Sequence, residues 1–305
     1  MSCCCAWLVL AMQQAYAMPV YESDDRRDIY EAADSPAAKW SQSVVSFFDK
    51  ANISETGGLV LRPYGHAKNL HEKERFHEQS AGAFCSGVLI APDQVLTAGH
   101  CFPDQTCGRA FAVFGYSLSS TDSNPSRPTK SDMFRCIKVE HRVYSDSIDD
   151  FAIVRLDRPV GRPAIKFSRT PVRLGMPLTA IGCSDGLPLK IDAGGRVRYI
   201  SNKGFFMADI DAFPANSGSP VIDSGTGELV GLLIGGSMSD FRKDADGKNR
   251  YEVIPAEALE DLPGEYVLSV ARIQELLGKR AASSLSPERL RVPPVSKNIL
   301  KNSSF

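Results

Sequence analysis

Long hydrophobic runs are missing from this chain of 305 residues: the longest, roughly Ala6–Met12, falls short of the ~20 apolar residues a helix needs to cross a bilayer, which argues against an integral membrane protein. An excess of charge of either sign is missing too. Lys and Arg number 35 against 36 Asp and Glu, a formal net charge of −1, so no broad basic field draws the chain to nucleic acid or anionic lipid. No repeat of solenoid or propeller period is visible. Histidine is scarce, with 5 in all, and neither His71-Glu72 nor His77-Glu78 extends to the HExxH of a zinc-dependent hydrolase, so no metal and no cofactor is expected. Between the apolar runs there are no helical patterns, which leaves a parallel βαβ architecture without its crossovers.

What is present is a 43% hydrophobic chain with 24 Gly, 19 Pro and 8 Cys, enough apolar content for one large domain or two small ones. Short β-branched and aromatic runs begin at Ala83. They are Ala83–Ile90, Gln94–Ala98, Phe111–Phe114, Phe134–Val139, Ala152–Leu156, Leu178–Ile181, Arg196–Ile200, Phe206–Ile210, Pro220–Ile222 and Leu229–Ile234. Gly, Pro, Asp and Asn separate them, the pattern of an antiparallel sandwich or barrel. Ser43–Phe48 reads as a possible earlier strand. One helix is expected at Val267–Leu277, closed by Gly278, and Lys279–Phe305 reads as a mobile Ser/Pro/Lys tail.

The N-terminal 17 residues look removable. A short apolar stretch precedes Ala15-Tyr16-Ala17, the small-x-small pattern of an export signal, although no Lys or Arg stands before it. Cleavage there discards Cys3, Cys4 and Cys5 and leaves Cys85, Cys101, Cys107, Cys136 and Cys183 in an oxidising compartment, a count that suits two disulfides and one free thiol. The charge-dense stretch from Tyr21 to Glu31 has no sustained period and reads as a leader or pro-segment.

Three segments carry groups suited to acyl hydrolysis, which needs a nucleophile, a base, a group to orient the base and donors for the oxyanion. Cys85–Cys101 is a hairpin-like stretch that delivers His100, and a bridge between its end cysteines would pin the loop carrying the imidazole. Asp149-Asp150 stands immediately before an alternating strand. Ala215-Asn-Ser-Gly-Ser-Pro-Val is a small-residue turn that would expose Ser217 and leave backbone N–H groups free.

Together "LTAGHC", "DDFAIVRLDRPV" and "NSGSPV", in this order and spacing, resemble the chymotrypsin-fold (trypsin-like) serine endopeptidases, in particular the exported bacterial branch that includes the glutamyl endopeptidases. The resemblance covers roughly Ser80–Gly236. It implies an all-β fold of two packed six-stranded antiparallel β-barrels with a C-terminal helix. The expected division is a signal at 1–17, a leader at 18–55, a first barrel at 56–160, a second barrel plus helix at 161–280, and a flexible tail at 281–305. His100 would be general base and acid, Asp150 its buried partner in preference to Asp149, and Ser217 the nucleophile in preference to Ser219. The N–H groups of Ala215 and Ser217 would form the oxyanion hole, although the family usually has Gly at the position of Ala215. A second bridge would join Cys107 and Cys136, and Cys183 would be a buried core thiol.

For specificity, Asp211 lies six residues before Ser217, where trypsin-like enzymes place the carboxylate that pairs with a substrate Lys or Arg. It could equally be a turn-forming Asp. Leu233 aligns with the pocket histidine of glutamyl endopeptidases, which argues against selection of Glu. Gly235 and Gly236 would keep an edge open for strand addition by the substrate. The resemblance thus implies a secreted or periplasmic endopeptidase acting on protein or peptide substrates, with no nucleic-acid or membrane partner. Asn216 replaces the Asp that serves as activation switch in trypsin-type zymogens, so pro-segment removal would act differently. A Glu-preferring enzyme, and an impaired homologue that only binds peptides in the same cleft, are the competing readings.

Overall fold

The computed structural model describes residues 16–17, 19–121, 128–145, 148–236, 239–259 and 264–284. The expected export signal and its three cysteines fall mainly on 1–15, outside the described residues, as does the expected tail from 285 onward.

The alternating runs become strands because one face of each meets apolar neighbours. Val44–Asp49, Cys85–Ala91, Gln94–Thr97, Ala110–Phe114, Met133–Tyr144 and Asp150–Leu156 close into a six-stranded barrel. Antiparallel registers such as Val45↔Gly87, Val88↔Leu96 and Ala152↔Thr97 put Phe47, Leu89, Val95, Phe114 and Val154 inside it. Each such side chain removed from water contributes roughly 1.5–3 kcal/mol. Phe47 meets Phe102 edge to face at 4.9 Å, which fixes the start of the loop that leaves the barrel after His100.

Val44–Asp49 completes this barrel, so it begins well before residue 56 and the expected leader is shorter than 18–55. Its apolar side chains Val44, Val45, Phe47 and Phe48 are all wholly buried, and the barrel could not close without them.

The second half is an eight-stranded antiparallel sheet that does not close. Its order is Val197–Ile200, Phe205–Ala208, Glu265–Ser269, Leu229–Gly235, Pro220–Asp223, Leu178–Gly182, Lys190–Asp192 and, at the edge, Arg27–Asp28. The expected second six-stranded barrel is therefore seven strands of the body plus one from the leader.

The helix runs Val270–Ser284 in place of Val267–Leu277. Val267 and Leu268 belong instead to the sheet, paired with Leu233 and Leu232, because both flanking strands offer apolar partners there. Gly278 does not end the helix. A Cβ at that position would meet nothing, so the glycine is under no packing demand and the chain continues helical to Ser284, past the expected start of the tail.

The leader is built into the fold. Lys190 Nζ, almost wholly buried, donates to Asp28 Oδ1 at 2.6 Å and to Gln79 Oε1 at 2.8 Å. Burial pulls this ammonium down to about 8 despite Asp28. Arg26, 1% exposed, is paired with Asp24 at 2.7 Å and lies 3.8 Å over the Phe213 ring. A charge-dense sequence thus becomes an ordered edge by pairing its charges internally.

Candidate active site

Two strands and a tight turn carry His100. Gln94–Thr97 ends in the short 3-10 turn Gly99–Cys101, and the bridge Cys85–Cys101, with Cα atoms 6.3 Å apart, ties that turn to the first strand of its hairpin. Gly99 is required there, since a Cβ would stand 2.2 Å from the Val143 carbonyl oxygen. The bridge Cys107–Cys136 closes the neighbouring part of the barrel, and Cys183 is a buried free thiol whose Sγ donates to Ser46 Oγ at 2.8 Å. Burial pushes that thiol up to about 11.

Asp150, 7% exposed, receives His100 twice: the backbone N–H donates to Oδ1 at 2.9 Å and the ring Nδ1–H donates to Oδ2 at 2.6 Å. A carboxylate only accepts, so Nδ1 carries a proton, and Nε2 is the ring nitrogen left free of Asp150. The adjacent Asp149 points elsewhere, gripping Arg272 of the helix with both oxygens at 2.9 and 2.8 Å. Asp150 is therefore the acid brought to the imidazole. Cys85, His100 and Cys101 cluster closely enough for a metal, but the two sulfurs are bonded to each other and neither is a thiolate ligand.

The turn around Ser217 is fastened to the first barrel. Ser86 N–H donates to the Ser217 carbonyl at 2.9 Å, Ser86 Oγ donates to the Ala215 carbonyl at 2.9 Å, and Thr97 Oγ1 donates to the Ser86 carbonyl at 2.6 Å. Gly218, at φ +87, lies against the Ser86 carbonyl oxygen so closely that a Cβ would sit 2.2 Å from it. Ser217 is half-buried, and its carbonyl lies 3.8 Å from the Sγ of Cys101, the neighbour of His100. Among the described residues His100 Nε2 and Ser217 Oγ form no hydrogen bond; in substrate-free sites this contact is often loose.

Ala215 takes φ +71, the left-handed geometry a glycine would adopt freely. With its carbonyl held by Ser86, its N–H and that of Ser217 find no acceptor among the described residues. Asn216 N–H is used within the turn, bonded to the Phe213 carbonyl at 3.0 Å, and Asn216 Nδ2 reaches Ser184 Oγ at 3.2 Å. Ser219 is buried under Gly182, where a Cβ would lie 1.8 Å from its Oγ.

The residues expected to line a specificity pocket are distributed differently. Leu233 is buried in the apolar cluster with Ala212, Val230 and Val267. Gly235 faces open space, whereas a Cβ on Gly236 would collide with the Glu265 carboxylate at 1.0 Å. Asp211, 3% exposed, is closed off by the leader: the N–H groups of Tyr21 and Asp25 donate to its two oxygens at 2.8 and 2.9 Å. Its own N–H donates to Asp192 Oδ2 at 2.5 Å. Burial pushes both of these carboxyls above the ordinary range.

Two participants escaped the sequence reading. Ser86 is a small polar residue in a strand otherwise read as core, and the only available signal was a hydroxyl in an apolar run. Glu265 stands two residues before the stretch whose apolar spacing predicts a helix, and no motif marks it.

Residues 85–232 match the family model described as a trypsin-like peptidase domain. No curated protein matches the chain in sequence. Among solved structures, the VesB protease of Vibrio cholerae aligns with a TM-score of 0.51 and 18% identity, covering 84% of this chain and 67% of that one. A serine endoprotease from Yersinia pestis gives 0.48 and 15%, with 84% and 67% covered. The active form of the Rv3671c protease from M. tuberculosis gives 0.46 and 17%, with 81% and 86% covered. The VesB likeness supports the chymotrypsin-like fold.

Proposed function

We propose that this chain, whose residues 85–232 match a trypsin-like peptidase domain, is an exported serine endopeptidase that works through Ser217, His100 and Asp150 and cuts after Lys or Arg. Ser217 Oγ attacks the scissile carbonyl while His100 Nε2 takes its proton. Asp150 holds the imidazole in the tautomer that leaves Nε2 free and stabilises the imidazolium as it forms. The carbonyl oxygen, now an anion, accepts from the N–H groups of Ala215 and Ser217. His100 then returns the proton to the departing amine, leaving an acyl ester on Ser217. Water repeats the sequence: His100 takes its proton, the acid is released and Ser217 Oγ–H is restored.

The single observation that carries this reading is the double hydrogen bond from His100 to Asp150, at 2.9 and 2.6 Å. The left-handed Ala215 supports a working oxyanion hole over the impaired-homologue reading. Two disulfides support an oxidising, exported location. Asp211 supports a cationic preference, and Leu233, packed in the core, offers nothing to a substrate carboxylate.

Cleavage profiling on a peptide library tests the proposal. The full chain carrying Tyr21→Gly should cut after Lys and Arg, adding Ser217→Ala should lose at least about 10⁴-fold in kcat, and adding Asp211→Ser should lose the basic preference while still cutting. Retained cutting by Ser217→Ala overturns the nucleophile. A basic preference that survives Asp211→Ser overturns the pocket assignment.

A further inference from the structure

Glu265 begins the strand Glu265–Ser269, whose Tyr266 pairs with Gly235. It is wholly buried, its Oε2 has no hydrogen-bond partner, and it fills the space that the missing side chain of Gly236 leaves. A buried carboxylate oxygen without a donor is costly enough to call for an explanation. Its other oxygen, Oε1, accepts from the Tyr21 hydroxyl at 2.9 Å, and the same tyrosine's N–H donates to Asp211. Glu265 and Asp211 are therefore one tyrosine apart, the backbone N–H at one end and the phenol at the other.

The leader reaches this place along the edge that follows the specificity strand. Val20–Tyr21 pairs with Val253–Ile254, in the segment that runs from the end of that strand towards Glu265. An extended segment adding to an edge while one side chain enters a pocket is the geometry of peptide recognition by strand addition.

We propose that Glu265 is a specificity-determining residue which, together with Asp211, forms a two-carboxylate pocket for a cationic substrate side chain, and that Tyr21 of the leader plugs this pocket. The proposal rests on the basic preference argued above and adds a second determinant to it. The plug offers only neutral donors, an amide and a phenol. Burial accordingly pushes the carboxyls of both Asp211 and Glu265 above the ordinary range. A substrate guanidinium, with five N–H donors in a planar fork, offers more donors than an ammonium to supply what Glu265 Oε2 lacks while its charge faces Asp211. Arginine is thus favoured over lysine.

Binding of p-aminobenzamidine, an amidine whose fluorescence changes on entering an apolar pocket, reads the site without catalysis. In the full chain, Tyr21→Gly should tighten binding at least tenfold, and Tyr21→Phe, which removes only the hydroxyl on Glu265, at least threefold. Adding Glu265→Gln to Tyr21→Gly should reverse most of the gain and lower the Arg-over-Lys ratio of kcat/KM at least fivefold, with the thermal midpoint checking that the isosteric variant is folded. Equal amidine affinity in wild type and both Tyr21 variants overturns the plug. An Arg-over-Lys ratio unmoved by Glu265→Gln overturns the second carboxylate and leaves the Asp211 reading standing, whereas an enzyme with no preference for Lys or Arg fails the Asp211 reading first.

Discussion

Ala215 carries a strain that its neighbours must hold. A left-handed L-residue costs about 1–2 kcal/mol, while Ser86 and Asp185 fix the carbonyls of Ala215 and Pro214 by hydrogen bonds. Glycine would remove the strain but lose roughly 0.5–1 kcal/mol to the greater freedom of its unfolded chain. Ala215→Gly is therefore expected to raise stability by no more than about 1.5 kcal/mol and to leave kcat within a few-fold. Ala215→Val, whose branched side chain resists positive φ, should lower kcat by more than tenfold with a smaller change in KM. Urea unfolding and steady-state kinetics check both. Ser86 makes the complementary case: Ser86→Ala removes the hydroxyl on the Ala215 carbonyl and should lower kcat while His100 and Asp150 remain paired. Unchanged kcat in Ser86→Ala would show that the turn holds its shape unaided.

At the scale of elements, the His100 turn depends on the Cys85–Cys101 bridge. Reduction of a loop of this size should lower stability by about 3 kcal/mol, and Cys85→Ala/Cys101→Ala should lower kcat as well, because Gly99 must stay pressed on Val143. A thermal midpoint insensitive to reductant would contradict this. The strands around the three motifs were legible in sequence because alternation and turn residues agree there with the tertiary partners. Val267–Ser269 was not, since an i, i+3, i+4 apolar pattern and a buried strand share the same residues over so short a run, and only pairing with Leu232 and Leu233 decides between them. The leader was illegible for a different reason. Arg26 and Asp28 look solvated in sequence, and their partners Phe213, Lys190 and Gln79 lie far along the chain. Asp211 was singled out by its place before Ser217, but nothing local announces that Tyr21 and Asp25 bind it.

Across the whole molecule, two halves meet around Ser86 and Ser217, and the leader seals the second half with buried carboxyls. Asp192, Asp211 and Glu265 lie above the ordinary carboxylate range through burial, with Asp24, Asp25 and Arg26 among the charged groups facing the first two. The folded form therefore keeps protons that the unfolded chain releases above about pH 4. The unfolded state binds fewer protons through that window, so stability falls as pH rises from the ordinary carboxylate values through the raised ones. Carboxylates with lowered values, such as Glu140 held by Arg155, act with the opposite sign but only below the ordinary range. The thermal midpoint of the full chain should fall between pH 5 and pH 8, and proteolysis within residues 19–28 should accelerate; a midpoint that rises would contradict the sealed-carboxyl account. Mass mapping after treatment with a small uncharged fluorophosphonate tests the roles of Ser217 and His100 most directly. One adduct per chain on Ser217, lost in His100→Ala, is predicted for the Tyr21→Gly chain. An adduct on any other serine, or none at all, would contradict it.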